Sequence, residues 1–232
     1  MVLAACLGTR MRPLTADRPK ALVEVAGRPL VDHMLERLFE AGVERVVVNL
    51  HAFADRLEAH LRARCGSDRV VTADERGELL DTGGGVKNAR ALLGEAPIFV
   101  ANIDSVWVER RPGALTRLAA AFRPSDMDAL LLLTPTAQAL GFDGAGDFFR
   151  SADGRLAPRG PDGAPFAYTG VHILDPGAVY AHEQRVFGLY PVWAQAAAKG
   201  RLFGELLDGD WMHVGDPAAR EAAERRLAGD PP

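Results

Sequence analysis

The residues best suited to chemistry stand near the start of the chain. An apolar run, Val2 to Ala5, breaks into Cys6-Leu7-Gly8-Thr9-Arg10-Met11-Arg12-Pro13-Leu14-Thr15 and runs on to Pro19-Lys20. Within the first twenty residues four basic groups, Arg10, Arg12, Arg18 and Lys20, face one acid, Asp17. A turn of backbone N–H groups followed by guanidinium and ammonium groups suits a polyphosphate, whose charge is spread over several oxygens. A dinucleotide fingerprint would need three spaced glycines where only Gly8 stands, and a Walker loop would need Gly-Lys-Ser/Thr. A solvated basic loop is the alternative that these residues leave open by themselves.

The elements that must position such a loop are legible as apolar runs. Val2–Ala5, Val46–Leu50, Val70–Thr72, Ile98–Ala101 and Ala129–Leu133 read as strands buried on both faces. Between them Leu30, Val31, Met34, Leu35, Leu38 and Phe39 recur at helical spacing, with Gly42 as a stop. Phe53 to Arg64, Val86 to Leu93 and Leu115 to Phe122 supply three more helical candidates. This alternation predicts a Rossmann-like α/β fold: a doubly wound, mixed but mostly parallel sheet with right-handed crossovers. Ligands in such sheets sit beyond the carboxyl ends of the strands, which is where the basic loop falls. Beyond residue 135 glycine, proline and aspartate crowd 141 to 165. A strand-like Ala167–Leu174 and helices at Tyr190–Ala198 and Ala218–Leu227 follow. We expect one domain over 1–232, with a first half (1–135) that carries the basic loop and a second half (136–232) that elaborates on it. The end, Asp230-Pro231-Pro232, is expected to fray.

Composition narrows the class further. The chain has 232 residues, 48% hydrophobic and 25% charged, and a net charge of −4, which gives no whole-molecule attraction to nucleic acid or an anionic membrane. No apolar run approaches a membrane span. Leu3-Ala4-Ala5-Cys6 mimics a lipoprotein cleavage box, but only Met1 and Val2 precede it, so it is read as the end of a buried strand. Cys6 and Cys65 lack metal-ligand spacing and are expected to be free thiols in the cytoplasm. Of 27 basic residues only three are Lys, at 20, 87 and 199.

The stretch from Leu3 to Thr15, with Arg18-Pro-Lys-Ala-Leu-Val-Glu-Val-Ala-Gly-Arg-Pro-Leu after it, resembles the signature of the sugar-1-phosphate nucleotidyltransferases. Leu80-Asp81-Thr82-Gly83-Gly84-Gly85 resembles the base-binding loop of their short N-acetylmuramate-1-phosphate uridylyltransferase branch. Gly146-Asp147-Phe148 and Tyr168-Thr169-Gly170 resemble the sugar-binding segments, and Trp211-Met-His-Val-Gly-Asp-Pro the closing metal-site motif. In such enzymes a sugar-1-phosphate oxygen attacks the α-phosphorus of a nucleoside triphosphate and pyrophosphate leaves, work that is mostly positioning and charge neutralisation.

The resemblance implies roles residue by residue. Ala4, Ala5, Leu7, Gly8, Thr9, Arg10, Thr82, Gly83, Gly84 and Asn102 would line the nucleotide, with Arg10 holding the leaving pyrophosphate. Lys20 would hold the phosphate of the sugar-1-phosphate. Asp147, Tyr168, Thr169, Gly170 and Glu205 would meet the sugar. Asp104 and His213 would bind Mg²⁺, or Mn²⁺; the alternative for Asp104 is a cap on the following segment. Gly83 to Gly85, before a helix starting at Val86, would admit a flat base, where a helix C-cap or plain loop is the alternative. Trp211 is core or contact, and Lys87 and Lys199 are expected on the surface. UTP and N-acetylmuramate-1-phosphate are the implied substrates, in cell-wall recycling, with mannose-1-phosphate and GTP or another hexose-1-phosphate as the alternative, in a monomer or homodimer.

Four residues depart from the family pattern. Cys6 stands where glycine is usual, His213 where the wider family has a second metal-binding Asp, Asp216 where Thr follows Gly215, and Ile103 where a small residue precedes Asp104. Cys6 would crowd the nucleotide, and Asp216 would supply the missing carboxylate after a small shift. A weakened nucleotide- or sugar-phosphate-binding sensor is therefore the competing reading.

Overall fold

The structure is a computed structural model that describes residues 1–66 and 68–229. The Asp230–Pro232 end lies outside the described residues. Strand β1 (Val2–Leu3) leads through 3₁₀ turns at Thr9–Met11 and Lys20–Leu22 and a small hairpin, β2 (Glu24–Val25) and β3 (Arg28–Pro29), into α1 (Leu30–Glu40). Then come β4 (Val46–Leu50), α2 (Ala54–Cys65), β5 (Val70–Asp74), α3 (Asp81–Asn88), α4 (Arg90–Leu93), β6 (Ile98–Asn102), β7 (Ser105–Glu109), α5 (Ala114–Ala121) and β8 (Ala129–Pro135). The remainder is β9 (Phe148–Arg150), β10 (Leu156–Pro158), β11 (Phe166–Leu174), α6 (Gly177–Tyr180), α7 (Tyr190–Ala198), β12 (Leu202–Leu206), β13 (Gly209–His213) and α8 (Pro217–Leu227).

A nine-stranded mixed sheet runs β10-β9-β11-β6-β1-β4-β5, with β8 on the other edge of β11 and β12 beyond it. The block β6-β1-β4-β5 is parallel. The run Ala129–Leu133 was expected to extend that parallel block. It is instead separated from it by the antiparallel β11, which pairs with β6 on one side and β8 on the other. Strands from both sides of residue 135 thus share one sheet. Periodicity predicts burial, but it cannot predict which neighbour a strand takes.

Alternation along β4 shows how the sheet is wound on both faces. Val46, Val48 and Leu50 pack with buried residues of α1, α2 and α5, while Val47 joins residues of α3, α6 and α7 on the other face. A third cluster, Met11, Val23, Val25, Leu30, Val106, Met212, Val214 and Ala223, ties the first loop to a two-stranded ribbon of β7 and β13 and to α8. Several elements differ from the expected pattern. Gly83 to Gly85 lie inside α3 rather than before it. β7 and β13, unforeseen, pair so that His213 faces Ser105. β9 and β10 form a hairpin within the glycine-rich 141–165 stretch. No described helix is long and apolar enough to cross a membrane.

The strand β11 carries a buried titratable group. His172 is fully buried, its Nδ1 lies 2.7 Å from the Tyr168 hydroxyl, and its ring is edge-on to Trp193. Burial pushes its pKa from 6.5 down to about 3. Between those values the unfolded chain binds a proton that the folded chain refuses, so stability falls as pH is lowered. The expected slope from this group is up to about 1.4 kcal/mol per pH unit. Urea unfolding between pH 6.5 and 4 checks it: His172→Phe is expected to flatten that slope, and an unchanged slope would contradict the assignment.

Candidate active site

A cleft of about 590 Å³ opens at the carboxyl ends of the parallel strands, lined by the first loop (Leu3, Ala5 to Arg10), Lys20, Asn49, Leu79, Asp81, Thr82, Asn102 to Asp104, Val186 and Gly215. The first loop leaves the sheet because β1 is only two residues long. Gly8 has φ +60°, a left-handed conformation that favours glycine. A Cβ there would stand 3.0 Å from Thr15 Cγ2 and 3.2 Å from Lys20 Cβ. The glycine therefore lets the loop fold down onto Lys20, and Thr15 Oγ1 fastens it by donating to Gly8 O at 2.8 Å. Met11, fully buried, anchors the 3₁₀ turn that holds Thr9 and Arg10 out in the exposed part of the cleft.

Lys20 is buried, and its Nζ donates to Asp104 Oδ2 at 2.8 Å. Burial alone would raise the Asp104 carboxyl, but the Lys20 ammonium, then His213 and the Lys20 hydrogen bond, hold it below 3.8. Asp104 sits on the turn between β6 and β7. The turn is fixed from both sides: Val214 N donates to Asp104 O at 2.8 Å, while Trp211 Nε1 donates to Ser105 Oγ at 2.6 Å and Ser105 Oγ donates to Thr169 O. The β7–β13 register brings His213 to the same place, and Arg10 Nη1 lies 3.6 Å from where a Cβ on Gly215 would stand. Burial holds the His213 imidazole below 6.5; Asp104 opposes this, and Lys20 and Arg10 add to it. His213 is therefore neutral at pH 7.

Among the described residues no group of three or more His, Cys, Asp and Glu side chains converges as a ready metal cage. Asp216 caps α8, with Oδ1 accepting from Ala219 N at 2.9 Å, and its charge reaches His213. The carboxylate present suits a hard divalent ion whose remaining ligands are phosphate oxygens and water, while the neutral imidazole beside it suits a softer one. Cys6 has an ordinary negative φ, so its backbone does not require glycine. Burial raises its thiol above 9.0, with Lys20 opposing, and the sulfur remains a protonated wall of the cleft at pH 7.

Of the residues expected around a nucleotide, Ala5, Leu7, Gly8, Thr9, Arg10, Thr82 and Asn102 line the cleft, and Ala4 lies buried behind it. Gly83 and Gly84 point elsewhere. Cβ atoms on them would fall 2.4 Å from the Phe187 ring and from Arg185 O, so their missing side chains admit the 182–189 strap, not a base. Lys87, expected on the surface, ties down the same strap by donating to His182 O and Gln184 O. Lys199 is exposed. Arg18 pairs with Asp17 outside the cleft.

The expected sugar residues are not among those lining it. Thr169 is fully buried with Oγ1 donating to Leu132 O, so its hydroxyl is turned away from any sugar. The Tyr168 hydroxyl is engaged with His172, and burial, then Asp104 and Asp147, raise its pKa well above 10.0. Asp147 Oδ2 accepts from Tyr168 N at 2.8 Å. Gly170, at a β-bulge, packs against Asn102 beside the cleft. Glu205 stands 4.0 Å from Arg150. Trp211 is core. The cleft residues not foreseen are Asn49, Leu79, Asp81, Val186 and Gly215. Asn49 had a signal, a lone polar residue in the apolar run Val46–Leu50; Val186 had none.

Fold and cleft together suit a nucleotidyltransferase of the sugar-1-phosphate type. The chain belongs to the MobA-like NTP transferase domain family, whose model matches residues 1–202. It is 56% identical to the N-acetylmuramate alpha-1-phosphate uridylyltransferase of Caulobacter vibrioides, over 98% of this chain and 96% of that one. It is 32% identical to the protein of the same description from Neisseria meningitidis serogroup B, over 99% and 97%. A putative glucose-1-phosphate thymidylyltransferase from Bacillus anthracis shares the fold, with TM-score 0.82, 15% identity, and coverage of 100% of this chain and 95% of that one.

The Lys20–Asp104 pair yields a direct test. Removing the ammonium leaves a half-buried carboxylate without its charged partner, which costs about 1–3 kcal/mol. Lys20→Met is therefore expected to lower stability at pH 7 by that amount and to raise the Asp104 carboxyl pKa, read by carbon-detected NMR. An Asp104 titration unmoved by the substitution would show that the pair does not form.

Proposed function

We propose that the protein joins UTP and N-acetylmuramate α-1-phosphate to give the UDP-sugar and pyrophosphate, a reaction of cytoplasmic cell-wall recycling. The observation that carries the chemistry is the convergence of Lys20, Asp104 and Arg10 on one cleft at the carboxyl edge of the sheet, with His213 beside it and close enough to feel all three charges. The substrate pair is supported by the 56% identical relative.

A phosphate oxygen of the sugar-1-phosphate attacks the α-phosphorus of UTP. The new O–P bond forms as the α–β anhydride bond breaks, and the electron pair leaves on pyrophosphate. The attacking phosphate is already ionised, so no general base is required. Lys20, a compact point charge, holds that phosphate near the α-phosphorus. Arg10 and the N–H groups of the Gly8–Thr9 turn hold the departing pyrophosphate, as a turn of successive amides can. Leu79, Thr82 and Val186 enclose the base side of the cleft. A divalent ion, Mg²⁺ or Mn²⁺, would be held by Asp104 with His213 beside it, and it neutralises charge on the phosphate oxygens when bound. Asp147 holds the Tyr168 backbone, while Thr169 and Gly170 shape the strand from within.

Pyrophosphate release separates this reading from its rivals. Turnover is expected with UTP and N-acetylmuramate α-1-phosphate in Mg²⁺, in preference to GTP with mannose-1-phosphate. Asp104→Ala is expected to lower kcat by about 100-fold or more. Nucleotide binding without release for any pair would favour a sensor, and full activity of Asp104→Ala would refute the assignment of Asp104.

A further inference from the structure

At the inner wall of the cleft, one buried side chain holds the backbone of the first loop. β1 pairs with β4 at Val2 and with β6 at Val2 and Leu3, and there it ends. The next two amides, Ala4 and Ala5, leave the ladder inside the protein. Both donate to a single atom, Asn49 Oδ1, at 2.7 and 3.2 Å. Two donors on one atom fix it as the carbonyl oxygen, so the amide nitrogen faces the other way. Asn49 Nδ2 donates to Glu75 Oε1 at 2.8 Å. Asn49 and Glu75 are each buried, both at 3% exposure.

The pair is locked by its surroundings. Glu75 is bound to the strand that carries Asn49: its N donates to Leu50 O at 2.8 Å, and His51 Nδ1 lies 2.7 Å from its O. Helix α3 closes over both groups at Gly85, where a Cβ would stand 2.9 Å from Glu75 Oε1 and 3.0 Å from Asn49 Nδ2. The third glycine of the triplet is thus matched to this hydrogen bond.

We infer that Asn49 and Glu75 are positioning residues for nucleoside triphosphate binding. Glu75 orients Asn49, Asn49 sets the Ala4–Ala5 backbone, and that backbone presents the loop from Ala5 to Arg10 to the nucleotide. This rests on the proposed function only for the ligand, because the ordering of the loop is a property of the free protein.

The test reverses the polarity of the central hydrogen bond. Asn49→Asp keeps an acceptor for Ala4 and Ala5 but sets two carboxylates against each other. Adding Glu75→Gln supplies an amide that donates to the new carboxylate. Loss of one such hydrogen bond corresponds to roughly a tenfold change in affinity. UTP binding by calorimetry is expected to weaken about tenfold in Asn49→Asp, in Glu75→Leu and in Gly85→Ala. It is expected to return to within about threefold of wild type in the Asn49→Asp/Glu75→Gln double variant. The KM for the sugar phosphate is expected to change less than about twofold. In NMR, amide exchange at Ala4 and Ala5 is expected to quicken in Asn49→Asp and to slow again in the double variant. The inference is overturned if UTP affinity is unmoved in the single variants, if the double variant is no better than Asn49→Asp, or if amide exchange at Ala4 and Ala5 does not respond. A wild-type protein that binds no nucleoside triphosphate would instead overturn the proposed function, and the amide exchange would still decide whether the pair orders the loop.

Discussion

A central strand only two residues long is the constraint on which the cleft depends. β1 lies between β4 and β6 and ends at Leu3, level with Asn102 at the end of β6 and one residue short of Leu50 at the end of β4. The chain that leaves it at the carboxyl edge becomes the cleft wall. Backbone groups released inside a protein need partners. They find them in Asn49, in the Gly8 to Thr15 closure and in the buried anchor Met11.

Charge is organised around the same opening. Lys20 and Asp104 come from loops after different strands and meet at 2.8 Å, with Arg10 and His213 close by. None of the four is held by the central sheet itself. The Lys20 turn is carried by the first-loop cluster, Asp104 by the β6–β7 turn, and His213 by its register against Ser105. Packing around Met11, Val106, Met212 and Val214 therefore fixes electrostatics several residues away. The net charge of −4 hides all of this, because surface ion pairs such as Arg76 with Asp55 and Glu58 offset other basic groups far from the cleft.

How far the sequence could be read depended on how local each feature is. β4, α1 and α7 were legible to within a residue, since alternating or helical burial is written in consecutive side chains. Gly8, Arg10 and Lys20 were legible because loop and charge are adjacent in the chain. The glycine triplet misled, because a missing side chain records only that something comes close: here it is Phe187, the Arg185 backbone and the Asn49–Glu75 pair. Thr169 misled in the same way, since its hydroxyl serves the Leu132 carbonyl within the sheet.

By itself the sequence determined the α/β alternation, the basic first loop and its family, all consequences of residue types at short range. Only the tertiary structure decided the antiparallel place of β11, the strand β13 that carries His213 to Asp104, and the strap whose Val186 closes the cleft. It also turned a lone asparagine in an apolar strand into the partner of two loop amides. Those outcomes rest on contacts between residues far apart in the chain, 45 positions for Asn49 and Ala4 and 84 for Lys20 and Asp104. Spacing along a sequence carries no distance across a fold.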